Sequence, residues 1–484
     1  MAVKPVKIYD NLGRLVSTGG GNRLYNASNL SQKRKRIPSL DIDSFRTVSG
    51  YGRRKMLSVG RFLWANFAEV KGVVTEIADY TTSIFQPQFQ TADEEWNVAA
   101  EKALKRHDRI ADIRGSLSSM SLIRWNMVKS VLIDGDFFIL FVKNREGYPQ
   151  LQVIPGHRCY SQTDEILSEG KFKGNNIYDG AIYDGFGRAV AYRIYNADGE
   201  AFRDISARDI VHCYLPEWSD QQRGFSILGQ SLFDWLDISE SRQFELMAQK
   251  LGASVSLMEF NDNGEPDVSS PFLAGQSSTD TDETPSGLVS EWIDDGTRYF
   301  KARNGSRLEA FSNDRPTENQ QQFTESIMRA TFYGLRWSYD FSMNQTNIGG
   351  ASMRVAVRKV NDAIKYYQDR LVEPVMRRID SWRIASLANA GAIEQNAEMF
   401  EFCYQRGARL SADSRYDSDR DIQESEQGWL TDSQAIAARG GDIESHYRQQ
   451  ARDIKAKERI FADEGVVETL PQEEDEISTD DPED

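Results

Sequence analysis

Residues Ile205–Ser241, ISARDIVHCYLPEWSDQQRGFSILGQSLFDWLDISES, pass from the period of a strand to that of a helix within a few residues, and the rest of the chain can be read outward from this switch. On the N-terminal side, between Phe137 and Tyr214, β-branched and aromatic runs alternate with Gly, Asn and Asp turn residues: FFILFVK, QLQVIPG, GAIYD, AVAYRIYN and DIVHCYL. Such runs predict an antiparallel sheet domain. On the C-terminal side, beyond the loop Pro216–Gly224, a helix is expected from Ser226 to about Gly252, with Leu228, Leu232 and Trp235 on one side.

Ahead of the sheet, Leu63, Phe67, Val70, Val74 and Ile77 recur at helical spacing, with Ser58 as the expected N-cap. A second helix is expected from about Ser116, carrying Leu122, Trp125, Val128 and Leu132 to the turn Asp134-Gly135-Asp136. Behind the central helix, residues 261–290 are rich in Asp, Ser, Thr, Pro and Gly and predict an exposed excursion. The strand-like segments Ser254–Phe260 and Arg298–Arg303 bracket it and are expected to pair. A helix follows Asp314 and Pro316, with Phe323, Ile327, Ala330 and Gly334 on one face to about Arg336. Ser338–Gly350 is polar and glycine-rich and is expected to be a loop. The stripe Met353, Val357, Val360, Ile364, Tyr367 and Leu371 predicts a long helix that Pro374 should kink, and helices over Ser418–Arg439 and Ile443–Phe461 close the pattern.

The bulk numbers limit the classes of function. At 484 residues the chain exceeds one ordinary core, and 39% hydrophobic against 27% charged residues describes a chain that buries a real interior. No stretch approaches the roughly 18 apolar residues of a membrane span, and MAVKPVKIYD lacks the core of a secretory signal, so a cytoplasm-like compartment is expected. Cys159, Cys213 and Cys403 lie far apart and are expected to be free thiols. The net charge of -16 argues against a protein whose main task is to grip DNA. Charge is also uneven. The first 60 residues hold 12 Lys and Arg against 3 Asp and Glu, including Lys33, Arg34, Lys35 and Arg36, whereas 8 of the 14 residues Pro471–Asp484 are acidic.

Chemistry is sparse. Asp134 and Asp136 could share a divalent cation, which would make a metal-dependent enzyme, but Asp-Gly-Asp at a helix-to-strand junction is also a common turn. His157, Cys159, His212 and Cys213 have zinc-ligand chemistry, yet adjacent His212 and Cys213 must point to opposite faces of a strand. No phosphate-binding glycine loop, dinucleotide fingerprint or nucleophile elbow occurs, and no cofactor is expected.

The segments GAIYDGFGRAVAYRIYN and ISARDIVHCYLPEWSDQQRGFSILGQSLFDWLDISES, with YDSDRDIQESEQGWLTDSQAIAARGGDIESHYRQQARDIK further on, resemble the lambda-like branch of tailed-phage portal proteins. The resemblance runs over about residues 58–465; the insertion at 261–290 and the basic arm depart from it. It implies an α+β portal fold with a mixed helix and antiparallel-sheet wing, two stem helices flanking a small clip, a long kinked helix and a C-terminal helical crown. The corresponding divisions are a basic arm at 1–57, wing at 58–225, first stem helix at 226–252, clip at 253–312, second stem helix at 313–337, tunnel loop at 338–350, long helix at 351–395, crown at 396–465 and an acidic, disordered tail at 466–484.

The resemblance further implies a ring of twelve subunits at the head-tail vertex of a virion, assembled in a bacterial cytoplasm. Its partners would be double-stranded DNA passing without sequence specificity, the terminase large subunit, major capsid and scaffolding proteins, and head-tail adaptors, with no membrane. Ser338, Met343, Asn344, Gln345, Thr346, Asn347 and Ile348 would face DNA. Asn261, Asp262, Glu265, Asp267, Arg298, Lys301 and Arg303 would dock partners at the clip, and Lys33–Arg36 have two readings, a basic contact to DNA, capsid or scaffold and a solvated arm. Another structural virion protein, a neck adaptor or minor capsid component, is the nearest rival.

Overall fold

The structure, a computed structural model, describes residues 48–115, 119–261, 289–293, 297–301, 306–310, 318–345, 349–407, 409–439, 441 and 443–463, preceded by the paired strands β1 (Ile8–Tyr9) and β2 (Leu15–Val16). The helical start comprises α1 (Gly50–Asn66) and α2 (Ala68–Thr82), then strand β3 (Phe85–Phe89), α3 (Glu94–His107) and α4 (Met120–Asp134). Helix α1 begins ahead of the expected cap at Ser58. Ser49 caps it instead, its Oγ accepting from the Gly52 amide at 3.1 Å. The apolar stripe could not show these first two turns, because the first inward residue is Arg53, which ion pairs bury. Nor is the stripe continuous: Phe67 is extended (φ -115°, ψ 113°) and divides α1 from α2.

The face of α4 is also rotated from expectation. Ile123, Met127, Val128, Val131 and Leu132 are buried, while Leu122 is exposed. The sequence is apolar nearly all round this helix, so periodicity alone cannot select the inward side. Helix α3, unannounced by periodicity, is capped by Asp93, whose carboxylate accepts from the Trp96 amide at 3.0 Å.

The expected antiparallel domain forms as two sheets. Strands β4 (Phe137–Lys143), β5 (Pro149–Pro155), β6 (Glu165–Ile166), β7 (Asn176–Tyr178), β8 (Ala181–Tyr183), β9 (Ala189–Tyr195), β10 (Phe202–Ser206) and β11 (Ile210–Cys213) are ordered β11-β4-β5 in one sheet and β10-β9-β8-β7-β6 in the other. Phe138, Ile154, Cys159, Tyr183, Tyr192, Ile194 and Ile210 fill the core between them. A 3-10 turn, Ile227–Ser231, then leads into α5 (Leu232–Ser254), so the expected helix opens with a tighter turn.

Beyond α5 lie β12 (Val255–Asn261), β13 (Val289–Ile293), β14 (Thr297–Lys301) and β15 (Ser306–Ala310), ordered β13-β14-β12-β15. The two bracketing segments therefore do pair, as parallel strands with Val255 opposite Arg298. Helix α6 (Glu318–Gly334) buries Met328, Thr331 and Phe332, not the expected face; Phe323 and Ala330 are exposed. Next come α7 (Tyr339–Met343), α8 (Gly350–Tyr367), a π turn at Gln368–Val372 and α9 (Glu373–Asn389). At the π turn the Glu373 amide donates to the Gln368 carbonyl, and the chain passes Pro374 in the first turn of α9.

Strand β16 (Phe402–Arg406) pairs with β3, and α10 (Ser414–Glu426), α11 (Asp432–Ala438) and α12 (Ile443–Asp463) follow. The expected single helix over 418–439 is thus two, separated at Gly428, which adopts φ 72°. The largest core lies between α2, α4 and the α8–α9 rod: Val74 and Ile77 meet Met127 and Val131, and Val360, Tyr367, Leu371 and Met376 close over them.

Candidate functional site

The candidate residues fall in three places: the Asp134-Gly135-Asp136 turn, the α5–α6 pair with its small sheet, and the segment after α6. At the turn, Gly135 (φ 87°) and Gly224 pack backbone to backbone; a Cβ on Gly224 would sit 2.0 Å from the Gly135 carbonyl oxygen. This contact brings the loop that carries Arg223 against the start of β4. Asp136 Oδ1 accepts from His212 Nε2 at 2.7 Å and from the Gly224 amide at 2.6 Å. Its Oδ2 accepts from Arg223 Nε at 2.9 Å and from Arg53 Nη1 at 3.2 Å. Arg53 also pairs with Asp179, and Arg223 Nη1 donates to the Cys159 carbonyl at 3.1 Å.

All of these side chains are buried, that of His212 to 5% exposure. Although burial opposes ionisation, the Arg223 and His212 side chains hold the Asp136 carboxyl well below the usual carboxylate range. Burial also keeps His212 neutral, between the faces of Phe138 and Tyr214. Asp134 faces elsewhere, taking Arg61 Nε and Nη2 at 2.8 and 2.6 Å. Arginines therefore fill both carboxylates and send them to different partners. The metal-dependent alternative fails on this geometry, and among the described residues no His, Cys, Asp and Glu group is arranged to hold a metal ion.

The zinc-ligand set likewise disperses. Cys159 and Cys213 are buried free thiols, Cys159 pushed up to about 12 by burial, and His157 Nδ1 accepts from Arg61 at 3.0 Å. Cys403 is a free thiol as well. Sequence reasoning missed Arg53, Asp179 and Arg223. The one available signal was the charged Arg223 inside an otherwise turn-like QQRGF run, next to the glycine that the close approach requires.

A second ionic cluster ties α9 to α3. Arg383 pairs with Asp380 (2.7 Å) and with Asp108, and its Nε donates to His107 Nδ1 at 3.1 Å, while His107 Nε2 donates to the Pro149 carbonyl at 2.6 Å. Burial and the adjacent Arg383 guanidinium press the His107 pKa down to about 4.

The segment Ser338–Gly350 is not wholly a loop. Ser338 is buried and caps α7, its Oγ accepting from the Phe341 amide at 3.4 Å. Phe341 packs edge-on against Tyr80 and Trp337. Glu76 accepts from Ser342 Oγ at 2.5 Å and from Trp337 Nε1 at 2.9 Å, and Arg329 pairs with Asp340 at 2.7 Å. These contacts pull the first half of the segment inward, which the polarity of its sequence did not suggest. Asn344 donates to Asp340 at 3.2 Å, Gln345 donates to the Phe341 carbonyl at 2.6 Å, and Met343 is exposed. Thr346, Asn347 and Ile348 lie outside the described residues.

At the small sheet, Asn261 ends β12 opposite Ser306, and Arg298 and Lys301 lie on β14 opposite Trp292 and Val289. Asp262, Glu265, Asp267 and Arg303 lie outside the described residues, as do Lys33, Arg34, Lys35, Arg36 and residues 466–484. Helices α5 and α6 carry large apolar side chains on their outer faces: Phe233 is 76% exposed, Phe244 71%, Met247 61%, Phe323 67% and Tyr333 80%. Among the described residues no helix is long and apolar enough to cross a membrane.

A comparison with curated protein sequences finds no match. Among solved structures, the chain is similar to one in the virion of a native gene transfer agent particle (13% identity, 82% of this chain and 97% of that one, TM-score 0.47). It is similar also to one in the neck of an empty particle of this kind, computed with C6 symmetry (14% identity, 82% and 97% coverage, TM-score 0.47), and to one in the neck of a native particle, computed with C12 symmetry (12%, 81% and 94%, TM-score 0.47). The family model described as phage portal protein, lambda family, matches residues 61–368, well over half of the chain and including the whole Ile205–Ser241 stretch. The chain belongs to the lambda family of phage portal proteins, which are structural proteins rather than enzymes.

Proposed function

We propose that the chain forms a closed homo-oligomeric ring, of twelve subunits in the particle, at one capsid vertex, where it conducts DNA during packaging and ejection. The ring also docks the terminase large subunit and head-tail adaptors, and it contacts capsid and scaffolding proteins. It belongs to the virion and assembles in the host cytoplasm. The observation that carries this reading is the outer face of α5 and α6. Side chains as large as Phe233, Phe244, Phe323 and Tyr333 stand in solvent in a single subunit, the pattern of a surface that neighbours cover.

In this reading the helices and sheets up to residue 225 are the wing, α5 and α6 are the stem, and the β12–β15 sheet with its insertion is the clip. Asn261, Arg298 and Lys301 then belong to the clip's docking end, as would Asp262, Glu265, Asp267 and Arg303. The α8–α9 rod is the long helix, whose π turn and Pro374 fall at the expected kink, and α10–α12 form the crown. Met343, Asn344 and Gln345, with Thr346–Ile348, present neutral groups to the duplex, which suits contact without the salt-sensitive ion pairs that lysines would add. Ser338 caps the short helix that leads into that segment.

Electron microscopy with mass measurement tests the ring. An annulus with an open axis, of mass a multiple of the 55.0 kDa subunit, is expected. A monomer or dimer at every concentration and ionic strength, with and without a scaffolding partner, overturns the reading. Replacing Asn344–Asn347 by glycine should leave rings intact and impair packaging or genome retention; loss of rings would place the segment in the subunit's own packing.

A further inference from the structure

Between α1, α4 and the β4–β5 hairpin lies a cleft of about 310 Å³ that none of the contacts above fills. Arg61, Arg114 and Lys129 stand around it, Trp64 forms a wall, and Ile133 and Phe137 give it an apolar lining. Two of the cations are braced by carboxylates: Arg61 by Asp134 at 2.6 Å and Arg114 by Asp112 at 2.8 Å, with both arginines still substantially exposed. Lys129 differs. Among the described residues it has no carboxylate partner; its ammonium donates to Asn126 Oδ1 at 2.9 Å and lies 4.6 Å from the Trp125 ring and 5.9 Å from the Trp64 ring. Partial burial lowers its pKa, although the nearby Asp134 charge opposes the shift. Three cations against two carboxylates leave the cleft positive within a chain of net charge -16.

We propose that this cleft is a docking site for the chain's own acidic segment Pro471–Asp484, with a carboxylate of Glu473–Glu476 on Lys129 and Ile477 against the apolar lining beside Trp64. Charge complementarity selects this occupant: residues 464–484 contain no Lys or Arg, and 8 of the last 14 are acidic. Its one aliphatic residue after Leu470, Ile477, directly follows the Glu-Glu-Asp-Glu run. A free phosphate would satisfy the cations and leave Trp64 and the apolar lining wet, whereas this peptide covers both. The ten residues from the end of α12 to Glu473 can span roughly 35 Å, so the acids can reach well away from the helix that precedes them.

Zero-length carbodiimide coupling on the intact chain, read by peptide mass spectrometry, tests the proposal. An amide between Lys129 Nζ and a carboxylate of Glu473–Glu476 is expected, with a yield that falls about tenfold between 0.05 M and 1 M salt. Neutralising the run (Glu473→Gln, Glu474→Gln, Asp475→Asn, Glu476→Gln) should abolish it without touching any described residue. In the same intact protein, Ile477→Ser should speed amide hydrogen exchange over 473–478. Coupling of Lys129 only to other segments, a yield indifferent to salt, or exchange over 473–478 that is unprotected and unchanged by Ile477→Ser overturns the proposal. A monomer that still gives the cross-link would defeat the ring and leave this docking standing.

Discussion

The joint around Asp136 and the α5–α6 pair are built on opposite plans. In the joint, charged groups lie inside and every one has a partner: Arg53, Arg223, His212 and the Gly224 amide share one carboxylate. In the helix pair, large apolar groups lie outside with solvent around them. The first arrangement is complete within one chain, because ion pairs out of water are tolerable only when all their hydrogen-bonding capacity is used. The second leaves apolar area exposed that a neighbouring surface would remove from water. One chain thus separates charge that it satisfies internally from apolar area that it leaves in solvent.

The sharpest test of the first plan is Asp136→Ala. It removes the carboxylate that Arg53 and Arg223 share, leaving Asp179 alone against two buried guanidiniums, and should cost about 3–5 kcal/mol of unfolding free energy by denaturant titration. A loss below about 1 kcal/mol would mean that water reaches the joint, and the contrast would lose its first half. Helix α6 carries both plans at once. Phe332→Ala, at a fully buried ring, should cost about 3–5 kcal/mol by the same titration.

A pH titration examines the second buried cluster. Because the folded pKa of His107, about 4, lies below its unfolded value, the neutral imidazole contributes stability that is fully present above about pH 6.5. That contribution, about 3 kcal/mol, should be lost as pH falls from 6.5 towards 4. The chain with His107→Gln should lack this component of its pH dependence. A smaller effect is expected from Ser49→Ala, which removes the cap of α1 and should cost about 0.5–2 kcal/mol, measured by thermal unfolding.

The smallest stability effect belongs to the exposed face. Phe323→Ser should change the unfolding free energy of the subunit by no more than about 0.5 kcal/mol, yet reduce ring formation in mass measurements. If Phe323→Ser destabilised the subunit as much as Phe332→Ala, the outer face would belong to the fold and the contrast would be broken.

Much of this was legible from residues. The change of period inside Ile205–Ser241 marked the boundary between sheet and helix, and the same stretch supplies His212, Arg223 and Gly224 to the joint. Of the long stripe, Val357, Val360, Tyr367 and Leu371 are buried as the spacing predicts, while Met353 and Ile364 are partly buried. What could not be read was which side of an ambiguous helix faces in. Both α4 and α6 carry apolar residues on more than one face; the position of α2 and the α8–α9 rod selects Met127 over Leu122, and Trp235 of α5 with Tyr339 of α7 selects Phe332 over Phe323. The inward half of Ser338–Gly350 was hidden for a similar reason. Its partners Glu76 and Tyr80 lie some 260 positions away.

By itself, then, the sequence determined the strand-to-helix switch, most of the long helices and the family, because periodicity, turn residues and local composition act between near neighbours. Tertiary structure alone decided where the charges went. Arg53, Asp136, Asp179 and Arg223 are scattered over 171 positions and look in sequence like ordinary surface residues. They become a buried joint only because the Gly135–Gly224 contact closes the chain on itself and removes the water that would otherwise have solvated each of them separately.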